Sequence, residues 1–202
     1  MTRPPDKQYP YAFTGRQVLV GVCGGIAAYK VCEVVSTLVQ CGAGVTVAMT
    51  KAARKFVTPL TFGALSGRPV LTDLWRPDQA DAIAHISSTG TADLFLIAPA
   101  TANMIGKMAQ GIADELLSTL AVSVGSAVLL APAMNERMWS NAIVQRNVDT
   151  LKEVGYRIVG PGEGWLACRS VGAGRMAEPD EILEAVASIL GATTPEPAPQ
   201  GR

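Results

Sequence analysis

Residues 131–139 read APAMNERMW and follow an apolar, strand-like run, SAVLLAP (126–132). A loop at a strand end should be polar and plain. This one crowds an amide, Asn135, among Met134, Met138 and Trp139. Asn135 offers both a donor and an acceptor, so it could fix a carboxylate or a sugar. The two thioethers and the indole fit core packing, and equally the apolar wall of a pocket.

Four other stretches carry comparable residues. In GVCGGIAAYK (21–30), Gly24 and Gly25 come straight after an apolar run and open a helical one. Glycines there let backbone N–H groups approach an anion, and the helix dipole favours it. The spacing is neither G-x-G-x-x-G nor a Walker loop, and a tight turn without a ligand would read the same way. In MTKAARKFV (49–57), Thr50 is either a helix cap or a hydroxyl for a phosphate or for ribityl hydroxyls. In IAPATANMIGKMAQG (97–111), Thr101 and Asn103 stand at a helix start, as caps or as partners for a heterocycle edge. GWLACRSVGAGRM (164–176) reads as a flexible loop, with Cys168 beside Arg169 and near Arg175. Cations there could lower the thiol pKa or place Cys168 as a proton donor; an inert buried cysteine is the other reading. His85, in AIAHISST, is the single histidine, and no Ser-His-Asp pattern surrounds it.

The elements that must position these residues alternate. QVLVGV (17–22), VTVAM (45–49), DLFLIAP (93–99), SAVLLAP (126–132) and YRIVG (156–160) read as short strands. IAAYKVCEVVSTLVQ (26–40) reads as a helix with Ile26, Val34, Val35, Leu38 and Val39 facing inward. KAARKFV and PLTFGALSG suggest short helices, and TANMIGKMAQG starts another. AIVQRNVDTLKEVG (142–155) and PDEILEAVASIL complete the helical set. Buried strands alternating with helices predict an α/β fold: a single-domain, doubly wound, Rossmann-like or flavodoxin-like parallel sheet with helices on both faces. Such sheets bind ligands beyond the carboxyl ends of their strands, where the residues above fall. The expected organisation is a flexible segment over 1–15, one domain over 16–191, and a disordered proline-bearing tail over 192–202.

With 17 basic and 17 acidic residues in 202, net charge attracts neither nucleic acid nor an anionic membrane. Hydrophobic residues at 49% suggest extensive burial. The uncharged runs Gln17–Tyr29 and Leu116–Asn135 are interrupted by glycines, hydroxyl residues or proline, which favours a buried α/β core over lipid. Cys23, Cys32, Cys41 and Cys168 form no C-x-x-C pair, so no metal site is expected, and a reduced cytoplasmic protein is.

Taken together, the strand ends resemble those of the homo-oligomeric flavin-containing cysteine decarboxylases, and within them the phosphopantothenoylcysteine decarboxylase branch. The resemblance runs from about Val18 to Leu190. Its most specific piece is P-x-M-N-x-x-M-W, present as Pro132, Met134, Asn135, Met138 and Trp139, supported by GGIAAYK, MTKAA, APATAN, AHI and LAC…GAGRMAEP.

This resemblance implies FMN bound by Gly24, Gly25, Ile26, Thr50, Thr101, Ala102, Asn103 and Ala133. It implies catalytic roles for His85, Asn135 on the substrate carboxylate, and Cys168 on a flap over the substrate. The substrate would be 4′-phosphopantothenoylcysteine, converted to 4′-phosphopantetheine for coenzyme A. Met138 would line the substrate, and Met134, Met138 and Trp139 would exclude water. The implied assembly is a homotrimer or homododecamer with the flavin at an interface. Many members begin the first helix with Gly-Ser, where this chain has Gly24-Gly25. Relatives also tend to carry an arginine after His85, where this chain has ISSTGTA, so Arg169 or another subunit is expected to supply that cation. Two other functions share the pattern: oxidative decarboxylation of a peptide's C-terminal cysteine, and a non-catalytic flavin-binding regulatory subunit.

Overall fold

The computed structural model describes residues 13–75, 78, 92–165, 169 and 171–191. His85 and Cys168 therefore lie outside the described residues, as do most of the terminal segments. Five parallel strands form the main sheet: β1 (Gln17–Val22), β2 (Gly44–Met49), β3 (Leu94–Ala100), β4 (Ala127–Pro132) and β5 (Arg157–Ile158), in the order β2-β1-β3-β4-β5. This is a flavodoxin-like doubly wound order, and its direction of winding reverses between β1 and β3. Every residue of β3, LFLIAPA, is buried, as a central strand covered on both faces requires.

Helices cover the two faces. On one side lie α1 (Ala28–Gln40), α2 (Pro59–Ser66) and, at the chain's end, α7 (Pro179–Leu190), which share a core with Val18, Val20, Leu94 and Leu96. On the other lie α3 (Ala102–Ala109), α4 (Leu116–Ser123) and α6 (Ala142–Glu153), packed around Leu19, Phe95, Ile97 and Leu130. The alternation of inward residues along β1 and β3 assigns one set to each core. A single turn, α5 (Glu136–Trp139), follows β4.

Three local differences from the sequence reading have physical causes. Helix α1 starts at Ala28, and Ile26 is 59% exposed in the turn before it, so Ile26 is surface and not core. Phe13, inside the segment expected to be flexible, is fully buried, and its N–H donates to the Cys41 carbonyl. Within 164–176, the described residues at 164–165 and 171–175 are strand and not loop. Gly162–Trp165 (β6) and Val171–Arg175 (β7) pair antiparallel as a separate hairpin.

Candidate functional site at the strand ends

All parallel strands deliver their carboxyl ends to one side, and a cavity of about 1050 Å³ opens there. It gathers Gly24, Gly25 and Ile26 from the end of β1 and Thr50 from the end of β2. The end of β3 contributes Thr101, Ala102 and Asn103, and the end of β4 contributes Ala133, Met134, Asn135 and Met138. Of the residues expected to touch a ligand, Arg169 is exposed and does not line the cavity; Arg175 does.

The turn after β1 is held tightly. A Cβ on Gly24 would overlap Ala52, so the first and second strand ends are in close contact through this glycine. Gly25 is different: a Cβ there would find Pro99 Cγ at 3.7 Å and Thr101 Cγ2 at 4.0 Å, ordinary contacts. The Gly25 N–H donates to the Cys23 carbonyl at 3.0 Å, while among the described residues the backbone N–H groups of Gly24, Ile26 and Ala27 have no partner in the chain. Free donors at the start of a 13-residue helix make an anion cradle.

Caps fix the other three ends. The Thr50 hydroxyl accepts from the Ala53 N–H at 3.1 Å, and Thr50 is buried. The Thr101 hydroxyl accepts from the Met104 N–H at 3.3 Å, which makes Thr101 the cap of α3. Asn103 is thereby released: its exposed side chain has no partner among the described residues. Asn135 caps α5, with Oδ1 accepting from the Met138 N–H at 2.8 Å. An amide whose oxygen is engaged presents its NH₂ group, a pure donor suited to a carboxylate.

The apolar wall differs from expectation in one member. Trp139 packs on the core below and does not line the cavity, its carbonyl accepting from the Gln145 amide at 2.5 Å. Met134 and Met138 keep their places, and Trp165 of β6 joins them. The hairpin reaches the β4 loop through the Met134 N–H, which donates to the Gly174 carbonyl at 3.0 Å. Gly174, at φ +130°, leaves no room for a side chain against Met134.

Several lining residues have partners that the sequence does not reveal. Cys23 is fully buried, and desolvation pushes its thiol pKa up to about 12, against hydrogen bonding to Thr101 that pulls it down. It is a neutral, unreactive thiol at ordinary pH. Lys107 donates to Asp114 and Glu115, each at 2.8 Å. Lys30 of α1 and Arg175 of β7 converge on Glu178, at 2.8 Å and 2.6 Å. Glu178 also caps α7, so one carboxylate ties the hairpin, the last helix and the first helix together. The lysine at the end of GGIAAYK was the available clue, but its partner lies 148 residues away.

The Flavoprotein family model matches residues 6–191. The chain belongs to the Flavoprotein family. It is 48% identical over 169 residues to the coenzyme A biosynthesis bifunctional protein CoaBC of Bacillus subtilis (strain 168), a match covering 84% of this chain and 42% of that protein. The chain thus spans less than half the length of the curated relatives it matches. Among solved structures, the FMN-dependent cysteine decarboxylase SpaF superposes with a TM-score of 0.75 at 32% identity, covering 89% of this chain and 97% of SpaF. A PPC decarboxylase mutant complexed with pantothenoylaminoethenethiol also gives 0.75, at 28% identity, covering 87% and 98%. The doubly wound fold is the one shared with these decarboxylases.

Proposed function

We propose that this chain is an FMN-dependent carboxy-lyase that converts 4′-phosphopantothenoylcysteine to 4′-phosphopantetheine in coenzyme A biosynthesis. The observation that carries the reading is the pairing, in one cavity, of a free backbone cradle at Gly24–Ala27 with the outward NH₂ of Asn135. The bifunctional relative and the pantothenoyl ligand of the decarboxylase structure point to the same substrate class.

The residues present fit FMN. Large apolar side chains stand exposed around the cavity, with Ile26 at 59%, Trp165 at 63% and Met138 at 43%, a cluster suited to an aromatic ring system. The Gly24, Ile26 and Ala27 N–H groups would hold its phosphate. Thr50, Thr101, Ala102, Asn103 and Ala133 would meet its polar chain and ring edge. When bound, FMN supplies a reversible two-electron acceptor, which a cysteine carboxylate otherwise lacks.

The chain's own residues do the rest. Asn135 donates to the substrate carboxylate and orients the C–C bond that breaks. Met134 and Met138 keep water from the leaving CO₂. His85 handles a proton near the substrate sulfur, since imidazole titrates near neutrality. Cys168 donates a proton to the carbon of the enethiolate left by CO₂ loss, which lets that carbon skeleton take back the two electrons the bound cofactor would hold, so that the overall reaction has no net oxidation. The enzyme works in the cytoplasm as a homotrimer or homododecamer.

The test is anaerobic incubation of FMN-loaded protein with 4′-phosphopantothenoylcysteine, following CO₂. One CO₂ per substrate supports the reading. No CO₂ from a protein that carries bound FMN refutes the decarboxylase and favours a flavin-binding subunit.

A further inference from the structure

Among the described residues, five cations line the cavity: Lys30, Lys51, Lys55, Lys107 and Arg175. One described carboxylate, Glu115, lines it with them. Three of the cations already have carboxylate partners, Lys30 and Arg175 on Glu178, and Lys107 on Asp114 and Glu115. Lys51 and Lys55 join no ion pair among the described residues. Both are exposed.

Their positions are fixed by backbone. The Thr50 hydroxyl caps Ala53, the Lys55 N–H donates to the Ala52 carbonyl at 3.1 Å, and Ala52 abuts Gly24. The short turn between β2 and α2 therefore holds two lysines, four residues apart, over the same opening. Both side chains line the same cavity, and neither has a carboxylate partner among the described residues. An anion bound at this rim would meet two uncompensated positive charges. The cofactor's phosphate has its own neutral donors in the Gly24–Ala27 cradle, with the dipole of α1 behind them.

We infer that Lys51 and Lys55 form a second anion subsite, on the rim of the cavity, that takes the terminal phosphate monoester of the substrate. The inference rests on the decarboxylase reading above and adds how that site selects phosphorylated over unphosphorylated pantothenoylcysteine. Two lysines act as point charges on flexible stems, so they recognise a dianion by charge and tolerate a range of positions. Their exposure keeps each contact modest and sensitive to salt.

The experiment compares FMN-loaded wild-type protein with the double variant Lys51→Gln, Lys55→Gln on two substrates, 4′-phosphopantothenoylcysteine and its dephosphorylated counterpart. The inference predicts that KM for the phosphorylated substrate rises about tenfold or more, the scale of two weakened charge contacts. It predicts kcat and the FMN dissociation constant within about twofold of wild type on the same grounds. The preference of the wild type for the phosphorylated substrate should collapse. A weakened FMN dissociation constant would show that the lysines serve the cofactor's phosphate instead, and overturn the inference. So would an equal loss on both substrates, or an unchanged KM. A wild-type protein that turns over neither substrate refutes the decarboxylase reading itself, an outcome separable from failure of the subsite alone.

Discussion

Substituting Asn135 by Asp isolates the chemistry of one atom. Aspartate caps a helix as well as asparagine does, so the bond from the Met138 N–H, 2.8 Å in the wild type, survives and α5 stays in place. What changes is the group turned toward the substrate. An NH₂ donor becomes a carboxylate oxygen facing another carboxylate. Loss of a hydrogen bond to a charged group costs roughly 1.5–3 kcal/mol. Repulsion of two unit charges about 4 Å apart adds roughly 4 kcal/mol near a protein surface. The sum is about 6 kcal/mol, and at about 1.4 kcal/mol per decade kcat/KM should fall roughly 10⁴-fold. The assay is CO₂ release under anaerobic conditions, with FMN affinity and thermal midpoint measured beside it. Both should stay near wild type. Retention of kcat/KM within tenfold, or an equal collapse of FMN binding, would refute the assignment of Asn135 to the substrate carboxylate.

Other consequences are open to direct test. Gly25→Ser adds a hydroxyl where a Cβ meets nothing closer than 3.7 Å, so the variant should fold normally and bind FMN a few-fold more tightly, about 1 kcal/mol for one added hydrogen bond; weaker binding in a fluorescence titration would count against the cradle. Cys23, with its thiol pKa near 12, should resist iodoacetamide at pH 8 in the folded protein and react once unfolded, as peptide mass mapping would show; equal labelling in both states would contradict its burial. The Lys30 hydrogen bond and charge, with Arg175 beside it, hold the Glu178 carboxyl below the usual range against a smaller opposing effect of burial. Its folded pKa is depressed, so its stabilisation is present above the ordinary carboxylate pKa of about 4.5 and fades as pH falls through the lowered value. Glu178→Gln should therefore lower the thermal midpoint at pH 7 and match wild type in strong acid; a gap that widens in acid would reverse the sign.

The sheet was readable because its strands are short apolar runs and its helices carry apolar residues at helical spacing. Val31, Val34, Val35 and Leu38 of α1 are all buried, as that spacing requires. Ile26 shows where the logic stops, since an isoleucine beside a helix reads as core even when it is left on a cavity wall. The hairpin of β6 and β7 was hidden by composition: GEGW and VGAGR alternate glycine with other residues, and its place is set by close approach to Met134, which sequence does not record. Caps were ambiguous for a similar reason. Thr101 and Asn103 offered equivalent side chains, and only geometry showed that the threonine caps while the asparagine is left free. The Lys30–Glu178 ion pair joins residues 148 apart in the chain, too distant for any local pattern to reveal.

On the proposed function, this cavity removes CO₂ from a cysteine carboxylate and returns a saturated thiol. That reaction is tested most directly by the mass of the product formed from 4′-phosphopantothenoylcysteine by the FMN-loaded protein without oxygen. The expected product is 4′-phosphopantetheine, accumulating over many turnovers with no external oxidant. An enethiol, two hydrogens lighter and accumulating only to the amount of FMN present, would contradict the proton-donating role of Cys168 and assign the chain the oxidative chemistry instead.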